Sequence, residues 1–392
     1  MMRRIFIGAA AILAMSFAGA AAQAEDTLKI GLQSAMTGWG AAWGVPLRAT
    51  SEMYVDEINA EGGLEVGGKT YMIELFVDDH KADTKLAKAG LERFIHQEGI
   101  KILMIHFDNG PDAWLGLPDD VREGLIHVSP VWRPDVFSPP HNGFGTLNLP
   151  PNFAPVLFGK VLEDNPDIKT VVELSPRGQF PEMAVQNDKA AVESLGLEWL
   201  GVEYFDPDLA DPLPVVTKVL ALNPDMLNLG CVGQTGPQLL KLARQLGYEG
   251  VMSCSCEDDI NLYLGHAGPE AAEGFYIIGS HGFPEGPELV AFREKYTERE
   301  GEWTAVSLAF YQGIRVLLAG IQKAGSIDDI PAIVEGVRQS TVVQELLPGK
   351  PVITWGGSET WGQPHQMQVP VVLNTIKDGQ ATTVAVVPPT VP

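Results

Sequence analysis

The sequence predicts an α/β protein of two doubly wound lobes with parallel central sheets, hinged about a ligand cleft. Strand-length apolar runs alternate with amphipathic helix-length runs along most of the chain, which marks parallel sheets with helices on their faces. The alternation breaks once, over the irregular, proline-rich residues 129–153, which read as a boundary or hinge segment. A length of 392 residues also favours two domains over one.

The chain opens with Met1-Met-Arg-Arg4, an apolar run over residues 5–22, and then Ala22-Gln23-Ala24 before Glu25. A basic start, a short apolar core and small residues at a cut site describe a secretory signal peptide over residues 1–24, cleaved after Ala24. The Ala-rich core argues against a membrane anchor, and no cysteine stands at the cut for lipid attachment. No later stretch reaches the roughly 18 uninterrupted apolar residues that a membrane span needs. The mature chain is expected to be exported, periplasmic, soluble and monomeric.

The first mature element is the stretch Leu28-Lys-Ile-Gly-Leu-Gln-Ser-Ala-Met-Thr-Gly-Trp-Gly-Ala-Ala-Trp-Gly44. Its apolar start is of strand length, and a Gly-rich turn carrying Trp39 and Trp43 leads into a helix over 46–60. Strand, turn and helix together leave backbone N–H groups and a positive helix end at the turn. Gly62-Gly63 stop the helix. A strand at 71–77, a helix at 84–97, a strand at 100–105, a helix at 112–123 and a strand at 125–128 complete the first block. Beyond the irregular segment come helices at 155–164, 181–195, 212–222 and 237–246, alternating with strands at 169–174, 198–204, 226–229 and 250–253. A strand at 275–278 precedes helices at 286–299, 304–324 and 328–339. The tail from Pro351 reads as strand, with alternation over 369–376 and 382–387. In open parallel sheets, ligands bind beyond the carboxyl ends of the strands, so the informative residues are those just after each strand.

The formal charge is −23, and losing Arg3 and Arg4 with the leader takes it to −25. Such acidity argues against nucleic acid or an anionic membrane as partner. Hydrophobic residues make up 45% of the chain, enough for full cores. Three cysteines, Cys231, Cys254 and Cys256, do not make a disulfide scaffold. They end strands that should be neighbours, so Cys231 could bridge to Cys254 or Cys256 in an oxidising compartment, whereas a Cys254–Cys256 bridge would be strained. No Cys-x-x-Cys or His-x-x-x-His spacing occurs, and neither metal nor cofactor is expected. Asp78-Asp79-His80 has metal-ligating residue types but follows a strand, and reads as a cap for the next helix.

The stretches LKIGLQSAMTGWGAAWG, YVDEINAEGGLEVGGKTYMIELFVDDHKAD, HFDNGPDAW, SPVWRPD, LLKLARQLGYEG, AEGFYIIG and VPVVLNTIKDG, in this order and spacing, carry a resemblance. The chain resembles periplasmic solute-binding proteins of the branched-chain amino acid class, which feed ABC importers. The resemblance covers nearly the whole mature chain. It implies lobes joined by three crossovers, one of 25–145 plus 279–345 and the other of 146–278 plus 346–392, closing on a small ligand. It also implies importer membrane subunits as partners.

On that resemblance Trp43, and to a lesser degree Trp39, would face the ligand from the first loop; either could instead pack that loop onto its own lobe. Asn109 and Gly110 stand where the family places donors for the ligand carboxylate, with a tight turn as the plainer reading. Trp132 and Arg133 depart from the family's small residues. A guanidinium fork and a stacking face suit an aromatic or otherwise bulky carboxylic acid, unless Arg133 merely pairs with Asp135. From the second block, Gln179 and Phe180 would wall the cleft and Gly233 would allow close backbone approach. Glu257 or Asp258 would meet an ammonium group if the ligand is an amino acid; acidic helix capping is the alternative. A rival of another class is an exported hydrolase with Cys231 or Ser129 as nucleophile and His106, His127 or His141 as base. No G-x-S-x-G elbow supports it.

Overall fold

The computed structural model describes residues 26–388 apart from Trp132, Asn148, Leu149, Asp208 and Pro348. The expected leader, residues 1–24, lies outside the described residues. Among those described, no helix is long and apolar enough to cross a membrane.

The chain forms two sheets of largely parallel strands flanked by helices. The first sheet takes β1 (Thr27–Ser34), β2 (Leu64–Val66), β3 (Lys69–Asp79), β4 (Ile102–Ile105), β5 (Ile126–Ser129) and β6 (Gly143–Gly145). The second takes β7 (Thr170–Pro176), β8 (Glu198–Phe205), β9 (Met226–Leu229), β10 (Val251–Cys254) and β11 (Tyr276–Gly279). The chain returns to the first sheet with β12 (Val342–Val343), β13 (Val352–Gly356) and β14 (Gln366–Gln368), then ends in the second with β15 (Val371–Lys377) and β16 (Gln380–Val387). Strand order is β12-β13-β14-β6-β5-β4-β1-β3-β2 in the first and β16-β15-β11-β10-β9-β7-β8 in the second. Strands β3, β1, β4, β5, β6 and β14 run parallel in one sheet, and β8, β7, β9, β10 and β11 in the other.

Each sheet is buried on both faces, as parallel sheets require. Leu28, Ile30 and Leu32 of β1 are almost fully buried and pack in one cluster with Phe310, Ile314 and Leu317 of the helix Val306–Ala324. Burial of each such side chain contributes about 1.5–3 kcal/mol. In the second sheet Leu227, Leu229 and Met252 share a cluster with Leu239 and Leu240 of the helix Gly236–Gln245, while Phe153, Leu157 and Phe158 of the helix Pro150–Asp164 fill the other.

The tail differs from the expected assignment of 346–392 to the second lobe. Residues through Gln368 stay in the first sheet, and the last crossing falls between β14 and β15. Strands β6 and β14 are only three residues each, Gly-Phe-Gly and Gln-Met-Gln, so no apolar run announces them. Gln366 pairs with Gly145, and its buried amide donates to the carbonyls of Leu147 and Met367. The expected helix over 112–123 is two helices, Asn109–Leu115 and Asp119–Glu123, separated by Gly116 and Pro118. The first long helix starts earlier than expected, at Ala41, and carries Pro46 inside it.

Candidate functional site

A cavity of about 310 Å³ lies where the loops after β4 and β5 meet those after β7, β9 and β10. Trp43, Phe107, Pro130 and Val131 line it from the first sheet, and Pro176, Arg177, Phe180, Phe205, Val232 and Gly233 from the second. That volume is at the small end of the range for ligand sites.

Phe107 follows β4 with φ of 64°, a left-handed conformation that costs a bulky side chain of order 1–3 kcal/mol. Its ring lies 6.1 Å from that of Trp43, centroid to centroid. Behind it His106 is buried, bonds Ser34 Oγ through Nδ1 at 2.7 Å, and is pushed down to about 3 by burial. It is therefore neutral. Asp79 holds the first loop in place, accepting from the Met36 amide and the Thr37 hydroxyl, both at 2.8 Å. The expected cap of the next helix is instead Asp83, which accepts from the amides of Lys85 and Leu86.

Trp43 crosses the cleft. At Gly233, where φ is 52°, a Cβ atom would stand 3.2 and 3.3 Å from two carbons of the Trp43 ring. The backbone approached closely at Gly233 is met here by a side chain of the other sheet. Beside it Cys231 and Cys256 form a disulfide with a Cα separation of 4.9 Å, which resolves the two pairings left open by the sequence. Cys254 is the free thiol, buried and pushed up to about 12 by that burial.

Arg177 is the lysine or arginine among the described residues lining this cavity. It is exposed, and its guanidinium carbon lies 5.8 Å from the Tyr204 ring centroid. The sequence reading missed both Arg177 and Phe107, although each stands immediately after, or within two residues of, a strand end.

Arg133 does not offer a free fork. Its Nη1 donates to Asp112 Oδ1 at 2.7 Å and to the Asp108 carbonyl at 2.9 Å, while Nε and Nη2 hold the Asp135 carboxylate at 3.1 and 2.6 Å. Those carboxylates raise its pKa against the effect of burial, and it lines neither cavity described here. Ion pairing with Asp135 is the outcome, and the expected ligand-carboxylate role is corrected on this geometry. Asn109 and Gly110 also stand back from the cavity, in the first turn of their helix. The Asn109 amide donates to Thr84 Oγ1 at 2.8 Å. The loop instead presents His106, Phe107 and Asp108. Trp132 lies outside the described residues, as do the side chains of Trp39 and Gln179.

A second cavity, about 770 Å³, flanks the first and shares Trp43, Cys231, Gly233 and Cys256 with it. Glu257, Asp258, Asp259, Glu285, Arg293 and Trp303 are among its lining. Burial pushes Asp258 up to about 7 and raises Glu257 as well. The expected acidic cap falls one residue later, on Asp259, which accepts from the Asn261 amide at 2.9 Å.

The pairs a hydrolase would need are closed off. Cys231 is oxidised, and Ser129 Oγ lies 2.8 Å from His127 Nδ1 with both side chains sealed in the core. His141 bonds the Phe137 carbonyl. Among the described residues no group of three or more His, Cys, Asp or Glu could hold a metal ion.

Two α/β sheets whose strand ends share an aromatic cavity define a ligand receptor of the two-lobed class. The chain belongs to the periplasmic binding protein family, whose model, described as "Periplasmic binding protein", matches residues 27–381. A leucine-, isoleucine-, valine-, threonine- and alanine-binding protein of Pseudomonas aeruginosa is 26% identical over 337 residues, 84% of this chain and 87% of that protein. Among solved structures, a leucine-binding protein from Thermotoga maritima superposes with a TM-score of 0.73 at 21% identity, covering 93% of this chain and 99% of that one. An ABC transporter solute-binding protein from Rhodopseudomonas palustris, solved with 3,4-dihydroxybenzoic acid, gives 0.76 at 17% identity, covering 94% and 99%. The family is one of periplasmic substrate-binding proteins.

Proposed function

We propose that this chain is an exported receptor of an ABC importer that captures a small carboxylic acid, an aromatic or other organic acid in preference to an aliphatic amino acid. The observation that carries the reading is the 310 Å³ cavity, walled by Trp43, Phe107, Phe180 and Phe205 with Arg177 as its cation. Aromatic walls give offset stacking worth about 0.5–1.5 kcal/mol beyond area burial. A guanidinium gives a carboxylate a charge-assisted hydrogen bond. The carboxylate anchor thus moves from Arg133 to Arg177, on the opposite side of the cleft. The two lobes close by hinge motion, and the closed form docks on importer membrane subunits through a population shift driven by differential affinity. The bound aromatic acid of the Rhodopseudomonas structure fits this ligand class.

The amino acid reading keeps one specific support. Glu257 and Asp258 line the flanking cavity beyond Trp43, where an ammonium group would find them, and the Pseudomonas relative is named for amino acids. Mass spectrometry of ligand released from the purified, denatured protein decides between the two. Benzoate and leucine then serve as calorimetric probes. Benzoate binding weakened roughly tenfold in Arg177→Ala, with melting temperature unchanged, is the expected result. Leucine binding that is lost in Glu257→Gln, together with no response to benzoate, would sink the aromatic acid reading.

A further inference from the structure

The three second-sheet loops that wall the cleft share one buried polar cluster. Glu173 lies on β7, four residues before Arg177, and Asp188 lies on the helix Gln179–Ser194, whose start carries Phe180. Asn228 lies on β9, three residues before Cys231, and Ser255 sits between Cys254 and Cys256. All four are sealed from solvent. Asn228 Nδ2 donates to Glu173 Oε2 at 3.1 Å and lies 3.4 Å from Asp188 Oδ2 and 3.0 Å from Ser255 Oγ. Ser255 Oγ donates to Asp188 Oδ2 at 2.5 Å, and Ser253 Oγ donates to Asn228 Oδ1 at 2.7 Å.

Two carboxylate oxygens are left over. Glu173 Oε1 and Asp188 Oδ1 meet no donor among the described residues, and the other oxygen of each carboxyl faces the same Asn228 amide nitrogen. Two buried carboxylates gathered on one amide donor cannot both remain charged without a cation. No ion pair reaches either one among the described residues. On the elements packed around them, Lys160 is held by Glu163 and Asp164, Lys189 by Glu193 and Lys218 by Glu203. The other titratable groups acting at short range are Tyr204 on β8 and Cys254 on β10, both neutral at ordinary pH because their pKa values are raised. The groups that point at the carboxyls from Asn228 and Ser255 are donors, which suit an anion sharing a proton and oppose a metal ion.

We propose that Glu173 and Asp188 bind one shared proton, and that this proton holds in place the loops carrying Arg177, Phe180 and the Cys231–Cys256 bridge. Release of the proton to solvent leaves two like charges at the point where those loops are rooted, so the order of the cleft wall depends on pH. Burial raises both carboxyls, Asp188 to about 7 and Glu173 well above the usual carboxylate range. Folded values above the unfolded ones mean that the contribution is present in acid and is lost progressively as pH rises above about 7.

The test uses the full mature protein with its disulfide intact and needs no ligand, so its outcome is separable from the function proposed above. Hydrogen exchange, corrected for the intrinsic pH dependence, is followed for peptides covering 174–182, 228–236 and 253–259 between about pH 5 and about pH 9. Wild type should lose protection by up to tenfold per pH unit above about 7, the limit for one linked proton, while peptides from β1 and β4 stay level. The isosteric double variant Glu173→Gln/Asp188→Asn should show no such step. Infrared titration of the wild type gives a second readout, a protonated carboxyl stretch that disappears over the same range. A pH profile shared by wild type and double variant, or no protonated carboxyl at about pH 6, overturns the proposal.

Discussion

Replacing Gly233 by alanine probes a point where the first loop presses on the opposite sheet. Two costs follow. The left-handed backbone at φ 52° costs any β-carbon-bearing residue about 1–2 kcal/mol whether the lobes are apart or together. The new methyl group would also sit 3.2–3.3 Å from the Trp43 ring, closer than van der Waals contact, so the indole must yield by a few tenths of an ångström. Pushing a side chain off its rotamer costs about 0.5–1.5 kcal/mol, and only while the lobes are together. Ligand affinity should therefore fall roughly 2- to 12-fold on this account. Gly196 supplies the control. It has φ of 78° with nothing within 4 Å of its would-be Cβ, so Gly196→Ala carries the backbone cost alone. Calorimetric titration with the ligand found by mass spectrometry, beside thermal scans, reads both terms. Gly196→Ala should lower the melting temperature without touching affinity, and Gly233→Ala should do both. Equal affinities in the two variants would show that Trp43 does not press on Gly233 in the bound state.

Arg133→Met strips the counter-ion from Asp112 and Asp135 and a donor from the Asp108 carbonyl, and should destabilise the fold by about 1.5–3 kcal/mol in urea titration, a figure reduced because those carboxylates are partly exposed. Ligand affinity per folded molecule should change by less than about threefold. The double variant Cys231→Ser/Cys256→Ser opens a loop of 25 residues and should cost about 3.5 kcal/mol in the same assay, equal to the effect of reductant on wild type. Buried neutral histidines set the acid limb. His106 and His127 are held near 3 and His365 near 4, below the unfolded value of about 6.5, so their contribution is whole above pH 6.5 and lost as pH falls. Relative to wild type, His127→Gln should regain up to tenfold in its unfolding constant per pH unit below 6.5, read by chemical denaturation at stepped pH.

The strands whose interiors are apolar on both faces were legible from the sequence. Leu28 to Leu32, Ile102 to Ile105 and Met226 to Leu229 each form an uninterrupted or nearly uninterrupted apolar run and became β1, β4 and β9. Strand β14 was not legible, because its three residues hold one apolar side chain, Met367, and its pairing with Gly145 and the Gln366 amide bond to Leu147 join it to residues more than 200 positions away. At the site, position after a strand was informative, but residue type was not. Arg133 has the right chemistry and the right loop, yet Asp135 two residues on, together with Asp112 and Asp108 from the preceding loop and helix, consumes its donors. Arg177 has the same chemistry with no carboxylate partner at ion-pair distance among the described residues, a difference that only tertiary placement reveals. Phe107 was hidden for another reason: its left-handed backbone turns an ordinary core-type residue toward the cleft.

The Cys231–Cys256 bridge carries a consequence for where the protein can work. It ties the loop after β9 to the loop after β10 at the wall of both cavities. In a reducing cytoplasm those thiols stay apart, and the wall that Gly233 and Phe180 belong to lacks its staple. Under the export proposed above, oxidation sets this staple only once the chain has left the cytoplasm, so a reduced precursor would carry a less constrained cleft wall.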